Sequence, residues 1–343
     1  MVIKLRTFAA LFAVIICIAF VSCSAFEQET NNNVLPEASG QSQSNDDDSL
    51  VASIQESLDD NVEYIKQFGG AYIIMGVESD LPFPGVNGVI NLKDITDPLY
   101  LSFANLTGNK SFALKIFLDY KETEFYVDGE LYDSYIIKAA NGESDIIKFS
   151  LKTDVDFDNS HRLTVAVFTA PSVHFGEFGA SDSRAGSIHN YEIAQLNGER
   201  TMHEPFDSQE PECLCDIQYE GLLVGTQFEK SPKVVLIPPQ NIYAKPGEKV
   251  KLSYFAGSYP DTDNVLFMLL LDWKQLEING EDYIYLSNDP EKIGYGTFEF
   301  TAPEEPGSYE VVGFIACDPF EIQGLDDNYS LDQMYRMTLV VEE

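Results

Sequence analysis

Arg162-Leu163-Thr164-Val165-Ala166-Val167-Phe168-Thr169-Ala170 is the stretch that decides the fold class. Side chains alternate across an extended strand, so Val165 and Val167 face one way and Ala166 and Phe168 the other. Apolar residues on both faces predict a central strand. Upstream, Ala71–Val77, Tyr100–Ala104, Ser111–Asp119, Thr123–Val127, Tyr132–Lys138 and Asp145–Lys152 are rich in Val, Ile, Phe, Tyr and Thr. Pro84-Gly85, Thr107-Gly108-Asn109, Asp128-Gly129, Asn141-Gly142 and Asp158-Asn159 punctuate them. Short strands at this spacing, broken by turn residues, predict a β-sandwich over 71–171.

Residues 172–231 are rich in Gly, Ser, His and Glu, with short apolar pieces at Tyr191–Leu196 and Leu222–Phe228. They are read as a long irregular insertion within a first domain spanning 49–231, and long loops are often functional. A second domain is expected over 232–343. Its strands are Val234–Ile237, Val250–Phe255, Val265–Trp273, Thr297–Thr301, Tyr309–Ile315 and Met334–Val341. Pro306-Gly307-Ser308-Tyr309 is similar to the tyrosine corner of Ig-like and fibronectin-type domains. Trp273 sits where such a domain would place a core Trp on a middle strand. The resemblance implies a second β-sandwich over about a hundred residues and names no activity, since this architecture hosts many unrelated roles. The fold class is therefore mainly β: two Ig-like sandwiches preceded by a signal, a tether and one helix.

That helix is marked by Leu50, Ile54, Leu58, Val62, Ile65 and Phe68, which share one face. Asp48 or Ser49 caps it and Gly69-Gly70 stops it. The stripe is expected to pack on the following sandwich; fewer than three heptads argue against a coiled coil. Residues 23–48 carry almost nothing apolar and read as a flexible tether. Before them, Lys4 and Arg6 precede the uncharged run Thr7–Val21, the layout of a secretory signal over 1–22. Phe20-Val21-Ser22-Cys23 resembles the lipobox of bacterial lipoproteins, with Phe20 where Leu is usual. The resemblance implies a diacylated Cys23 as mature N-terminus and a lipid-anchored protein on the extracytoplasmic face of the membrane. Cleavage after Ala25, which would release the chain, and an uncleaved anchor are the alternatives.

The formal net charge is −35. Residues 1–22 contribute Lys4 and Arg6 and no acid, so losing them leaves −37. Such a field disfavours nucleic acid and anionic lipid headgroups, and suits solubility or a divalent cation. Asp154, Asp156 and Asp158 open like a calcium loop. However, Asn159 stands where Gly is needed and Val165 where a bidentate Glu is needed. The same spacing on a strand would put three acids outward with Val155 and Phe157 inward. Weak calcium candidates remain at Asp261/Asp263/Asn264 and Asp326/Asp327/Asn328, which equally suit solvated turns.

Beyond Cys17 and Cys23 the chain has Cys213, Cys215 and Cys317. Cys213-Leu214-Cys215 with His203 is too tightly spaced for a structural zinc site and lacks a fourth ligand. A bridge from either to Cys317, or a strained Cys213–Cys215 bridge, stays open. His161, His174, His189 and His203 sit in no recognisable catalytic motif, and no glycine-rich phosphate loop is present. No catalytic residue is assigned. The expected function is a lipid-anchored binding or structural module of the bacterial envelope, with an unknown envelope protein or glycan as partner. The alternative is a carbohydrate- or cell-wall-binding surface protein, then a secreted hydrolase with an unrecognised acid pair.

Overall fold

The structure is a computed structural model. It describes residues 46–67, 71–81, 88–109, 111–155, 157–174, 186–202, 204, 206–217, 219–226, 241–322, 331–334 and 336–343. The signal, Cys23, most of the tether, the strand expected at Val234–Ile237 and the boundary at Pro232 lie outside the described residues.

Helix α1 (Asp46–Lys66) starts two residues before the expected cap. It buries Ile54, Leu58 and Val62, with Leu58 and Val62 packing on Ile74, Ala104 and Leu106. The first sandwich follows as β1 (Ile73–Ser79), β2 (Val89–Leu92), β3 (Leu99–Asn105), β4 (Phe112–Leu118), β5 (Lys121–Glu122), β6 (Phe125–Val127), β7 (Glu130–Tyr132), β8 (Tyr135–Ile137), β9 (Ser144–Leu151), β10 (His161–Thr169) and β11 (Gly186–Gln195). One sheet runs β1-β3-β9-β6-β7; the other runs β2-β11-β10-β4-β5, with β8 also on β4. Leu101, Phe103 and Phe149 from the first meet Leu114, Ile116, Val165 and Val167 from the second, and all are buried.

The second sandwich comprises β12 (Cys213–Cys215), β13 (Gly221–Gly225), β14 (Asn241–Ala244), β15 (Lys249–Gly257), β16 (Asn264–Leu271), β17 (Lys274–Gln275), β18 (Ile284–Ser287), β19 (Ile293–Thr301), β20 (Gly307–Cys317), β21 (Leu331–Gln333) and β22 (Met337–Val341). Its sheets run β14-β22-β20-β16-β17, with β18 on β16 and β21 on β20, and β12-β19-β15-β13. Tyr309 donates its hydroxyl to Glu305 O at 2.7 Å, the closure a tyrosine corner makes.

Two expectations need correction. The stretch 172–231 is not one irregular insertion. Gly186–Gln195 is a full strand between β10 and β2, and Gly221–Gly225 pairs with β15, inside the second sandwich. The alternation of β11 was hidden because Glu192, fully buried, sits on it. Arg200 grips that carboxylate through Nε at 2.7 Å and Nη2 at 2.6 Å, and a paired charge can be buried where a lone one cannot. Trp273, in turn, is not on a middle strand of the intra-sandwich core. It lies in the β16–β17 turn, 4.8 Å from Phe168 between ring centroids.

Trp273 therefore marks a third apolar layer. Ala113, Phe117, Ala166 and Phe168 from the β4/β10 sheet pack against Leu266, Met268, Leu270, Val312 and Phe314 from the β16/β20 sheet. Four sheets thus lie in series, α1 covering the outer face of the first. The two inner sheets are buried on both faces, which is why β10 and β16 read as unbroken apolar runs. The described residues belong to one compact unit.

The two sandwiches repeat one topology. The order β2-β11-β10-β4-β5 matches β14-β22-β20-β16-β17 strand for strand, and in both the first pair is parallel. The repeat is audible in sequence at Leu118-Asp119-Tyr120-Lys121 and Leu271-Asp272-Trp273-Lys274. Both are two-residue hairpin turns with positive φ at each central residue: 49° and 63° in one, 51° and 68° in the other. Gly or Asn usually fills such positions. Here each aromatic crosses to the other copy. Tyr120 donates its hydroxyl to Pro319 O at 3.3 Å, and Trp273 donates Nε1–H to Pro171 O at 2.8 Å. Glu122 N donates to Gln275 Oε1 at 2.6 Å and Gln275 N to Glu122 Oε2 at 2.7 Å. Residue i touching j′ while j touches i′ is the mark of a two-fold interface, here within one chain.

A candidate binding pocket at the junction of the two sandwiches

The β4–β5 turn, the segment after β9 and the start of β10 converge with Tyr283 and Phe320 of the second sandwich around a pocket of about 500 Å³. Its polar pair is Asp119 and His161. His161 Nδ1 lies 2.6 Å from Asp119 Oδ2, while Asp119 Oδ1 accepts Arg162 N at 2.8 Å. The strained turn at Asp119 is what aims the carboxylate back along β10. Phe157 lies parallel to the imidazole at 6.2 Å. Lys121 Nζ, also on the lining, sits 3.2 Å from Asp282 Oδ2. Tyr283 stacks on Phe206 at 5.8 Å. Burial first, then the carboxylates of Asp119, Asp282 and Glu281, push its phenol up to about 12. Ser160 Oγ is buried with no hydrogen-bond partner among the described residues.

Strand registers match the two ends of the stack residue by residue. Leu163 opposite Leu118 corresponds to Val311 opposite Leu271, and Tyr135 opposite Leu114 to Ile284 opposite Phe267. Asp272 and Ser308 thus stand where Asp119 and Ser160 stand. His161, Tyr283 and Phe320 are replaced by Tyr309, Ser134 and Ser172. Tyr309 is committed to its corner, and Asp272 faces His174 Nε2 at 3.8 Å. Among the described residues the aromatic walls and the close His–Asp pair are therefore features of one end, not of the repeated fold.

Sequence reasoning singled out other positions. Asp261 has a positive φ of 54°, and Asp263 accepts Asn288 N on its backbone carbonyl at 2.8 Å. Asp318 organises this loop, accepting Asp263 N at 3.0 Å and Asn264 N at 2.9 Å, and burial raises its carboxyl pKa. Among the described residues no three His, Cys, Asp or Glu side chains converge on a common metal position. Asp326, Asp327, Asp156 and His203 lie outside the described residues. Residues 152–155 and 157–159 are not strand, and Val155 is exposed at the pocket rim instead of facing inward. Cys213 and Cys215 Sγ lie 3.9 Å apart, in hydrogen-bonding contact and not in a covalent bridge. Burial, then Cys213, pushes the Cys215 thiol up to about 11. Cys317 lies in the core between the second sandwich's sheets and Cys215 on that sandwich's outer side, so neither expected bridge is present.

At −35 the chain should gain stability as salt screens its self-repulsion, whatever the cation. Melting temperature is expected to rise equally with calcium and magnesium at matched ionic strength. A calcium-specific, saturating rise at sub-millimolar concentration would reveal a true site. Its removal by Asp261→Asn with Asp263→Asn, or by Asp326→Asn with Asp327→Asn, would locate it.

The sequence matches no protein-family model and no curated protein. Solved structures give loose likenesses. A CARDB domain from Pyrococcus furiosus in complex with di-metal ions is 11% identical over 37% of this chain and 92% of its own, with a TM-score of 0.23. The C-terminal domain of the Streptococcus agalactiae antigen I/II polypeptide BspA is 11% identical over 78% of this chain and 100% of its own, at 0.22. The calcium-binding domain pair CBD12 of CALX1.1 is 8% identical over 66% and 77%, at 0.18. At these scores topology and site rest on the chain's own strand pairing.

Proposed function

We propose that this protein is a lipid-anchored, extracytoplasmic binding module of the bacterial envelope. The observation that carries the binding role is the one-ended pocket: a repeated scaffold would supply two equivalent ends, and among the described residues only one has aromatic walls and a close His–Asp pair. The anchoring role is supported by Lys4 and Arg6 before the Thr7–Val21 run, the lipobox-like Phe20-Val21-Ser22-Cys23 and the polar spacer after it. Two acyl chains would hold the protein stably at a membrane where one would not. No helix among the described residues is long and apolar enough to cross a membrane. The acidic field argues against nucleic-acid partners. Metabolic labelling with a fatty-acid probe is expected to tag the wild type. Cys23→Ser should lose the tag and appear in the medium; equal labelling of both would sink the anchor, leaving the secreted form.

A further inference from the structure

We infer that the junction pocket is a seat for a neutral sugar ring, a reading that rests on the binding role above and names its ligand. The argument begins with charge. Each ionic group on the lining is already engaged by the chain: Asp119 by His161 Nδ1 and Arg162 N, and Lys121 by Asp282. An anionic ligand would cross the field of a strongly acidic chain, −35 in all, to reach the pocket, and a cationic one would find its carboxylate already engaged. The neutral groups on the lining with hydrogen-bonding capacity left are hydroxyls and an amide. Thr153 Oγ1 accepts Val155 N at 3.2 Å and keeps its O–H to donate. Thr123 Oγ1 donates to Lys121 O at 3.0 Å and keeps its lone pairs. Asn159 Oδ1 accepts from Thr201, leaving its N–H₂ group, and Ser160 Oγ is buried and unsatisfied.

The same lining carries the apolar and aromatic side chains of Leu118, Val155, Tyr283 and Phe320. A lining that combines hydroxyls and an amide with apolar and aromatic side chains matches an amphipathic ring with hydroxyls at its rim and C–H groups on its face. The volume of about 500 Å³ lies within the range of small-molecule pockets. The pseudo-equivalent end puts Ser134 and Ser172 where Tyr283 and Phe320 stand, so these two positions supply no aromatic wall there.

The test uses the mature full-length protein with glucose, galactose, N-acetylglucosamine and its β-1,4-linked dimer as probes, read by saturation-transfer NMR and titration. At least one probe is expected to receive saturation. Val155→Trp, which fills the mouth from an exposed position, should abolish the signal. Asn159→Ala should weaken it about 10-fold, as the loss of one polar contact does. Tyr243→Ala, on β14 and 66% exposed, should leave it unchanged. Co-sedimentation with purified cell-wall sacculi, competed by the same sugar, assigns the ring to the wall; binding of soluble sugar alone assigns it to a free glycan. Either result supports the sugar class. No saturation of any probe overturns the sugar and leaves Cys23 labelling as the independent test of the anchored module. Binding that survives Val155→Trp in a protein with unchanged melting temperature overturns the pocket assignment while sparing the binding role.

Discussion

Phe168→Ala is expected to destabilise the whole described unit by about 3–5 kcal/mol, the usual cost of deleting a fully buried aromatic. Phe168 belongs to the first sandwich but packs on Trp273 and the β16/β20 sheet of the second. The loss should therefore lower one shared thermal transition, followed by the fluorescence of Trp273 and by far-ultraviolet circular dichroism together. Two separate transitions, with only the first sandwich shifted, would show that the apolar layer between the sandwiches does not couple them. The same layer bears on residues 232–343 taken alone. Those residues lack β12 and β13, which pair with β19 and β15, and would expose Leu266, Met268, Leu270 and Phe314 to water. An exposed apolar sheet face of that size favours aggregation over a single cooperative transition.

Arg336→Met is the second large effect. Arg336 and Glu310 are each 1% exposed, and Nε donates to Oε1 at 2.9 Å. The guanidinium also donates to Thr169 O at 3.3 Å and Val173 O at 3.0 Å across the junction, and lies 5.1 Å over Trp273. Removing one partner of a buried pair costs about 3–5 kcal/mol, because the other charge stays buried. Replacing both, with Arg336→Met and Glu310→Leu, should recover most of that. About 1–2 kcal/mol would remain for the two carbonyl bonds that cross between sandwiches. Urea denaturation of the two single variants and the double completes the cycle. A double variant as unstable as the sum of the singles would mean that Arg336 acts through the carbonyls and the indole, not through Glu310.

How much was legible differs by feature. The helix stripe of Ile54, Leu58 and Val62 and the turn at Asp128-Gly129 are local signals, and the structure uses them as written. Only the Tyr191–Leu196 end of strand β11 was legible, because Gly186-Ser187-Ile188-His189-Asn190 is mostly polar and Glu192 interrupts the rest, and the partner that makes its burial tolerable, Arg200, is invisible to a periodicity argument. The pocket was missed for a different reason. Asp119, His161, Tyr283 and Phe320 are far apart in sequence and belong to two copies of a fold. The one sequence signal that could have pointed toward them is the pair Leu118-Asp119-Tyr120-Lys121 and Leu271-Asp272-Trp273-Lys274.

By itself the sequence determined that the chain is β-rich, where most of its strands and turns fall, that one amphipathic helix precedes them, and how acidic the surface is. These follow from side-chain period and composition, which act over a few residues. Only the tertiary structure decided what covers the second face of β10 and β16. A strand apolar on both sides demands two neighbours without naming them, and a central place in one sandwich satisfies only one face. The second face is met by the other copy, turned about a two-fold so that Tyr120 reaches Pro319 and Trp273 reaches Pro171. That docking brings Tyr283 and Phe320 to Asp119 and His161, because a pocket between two bodies exists only once both are packed.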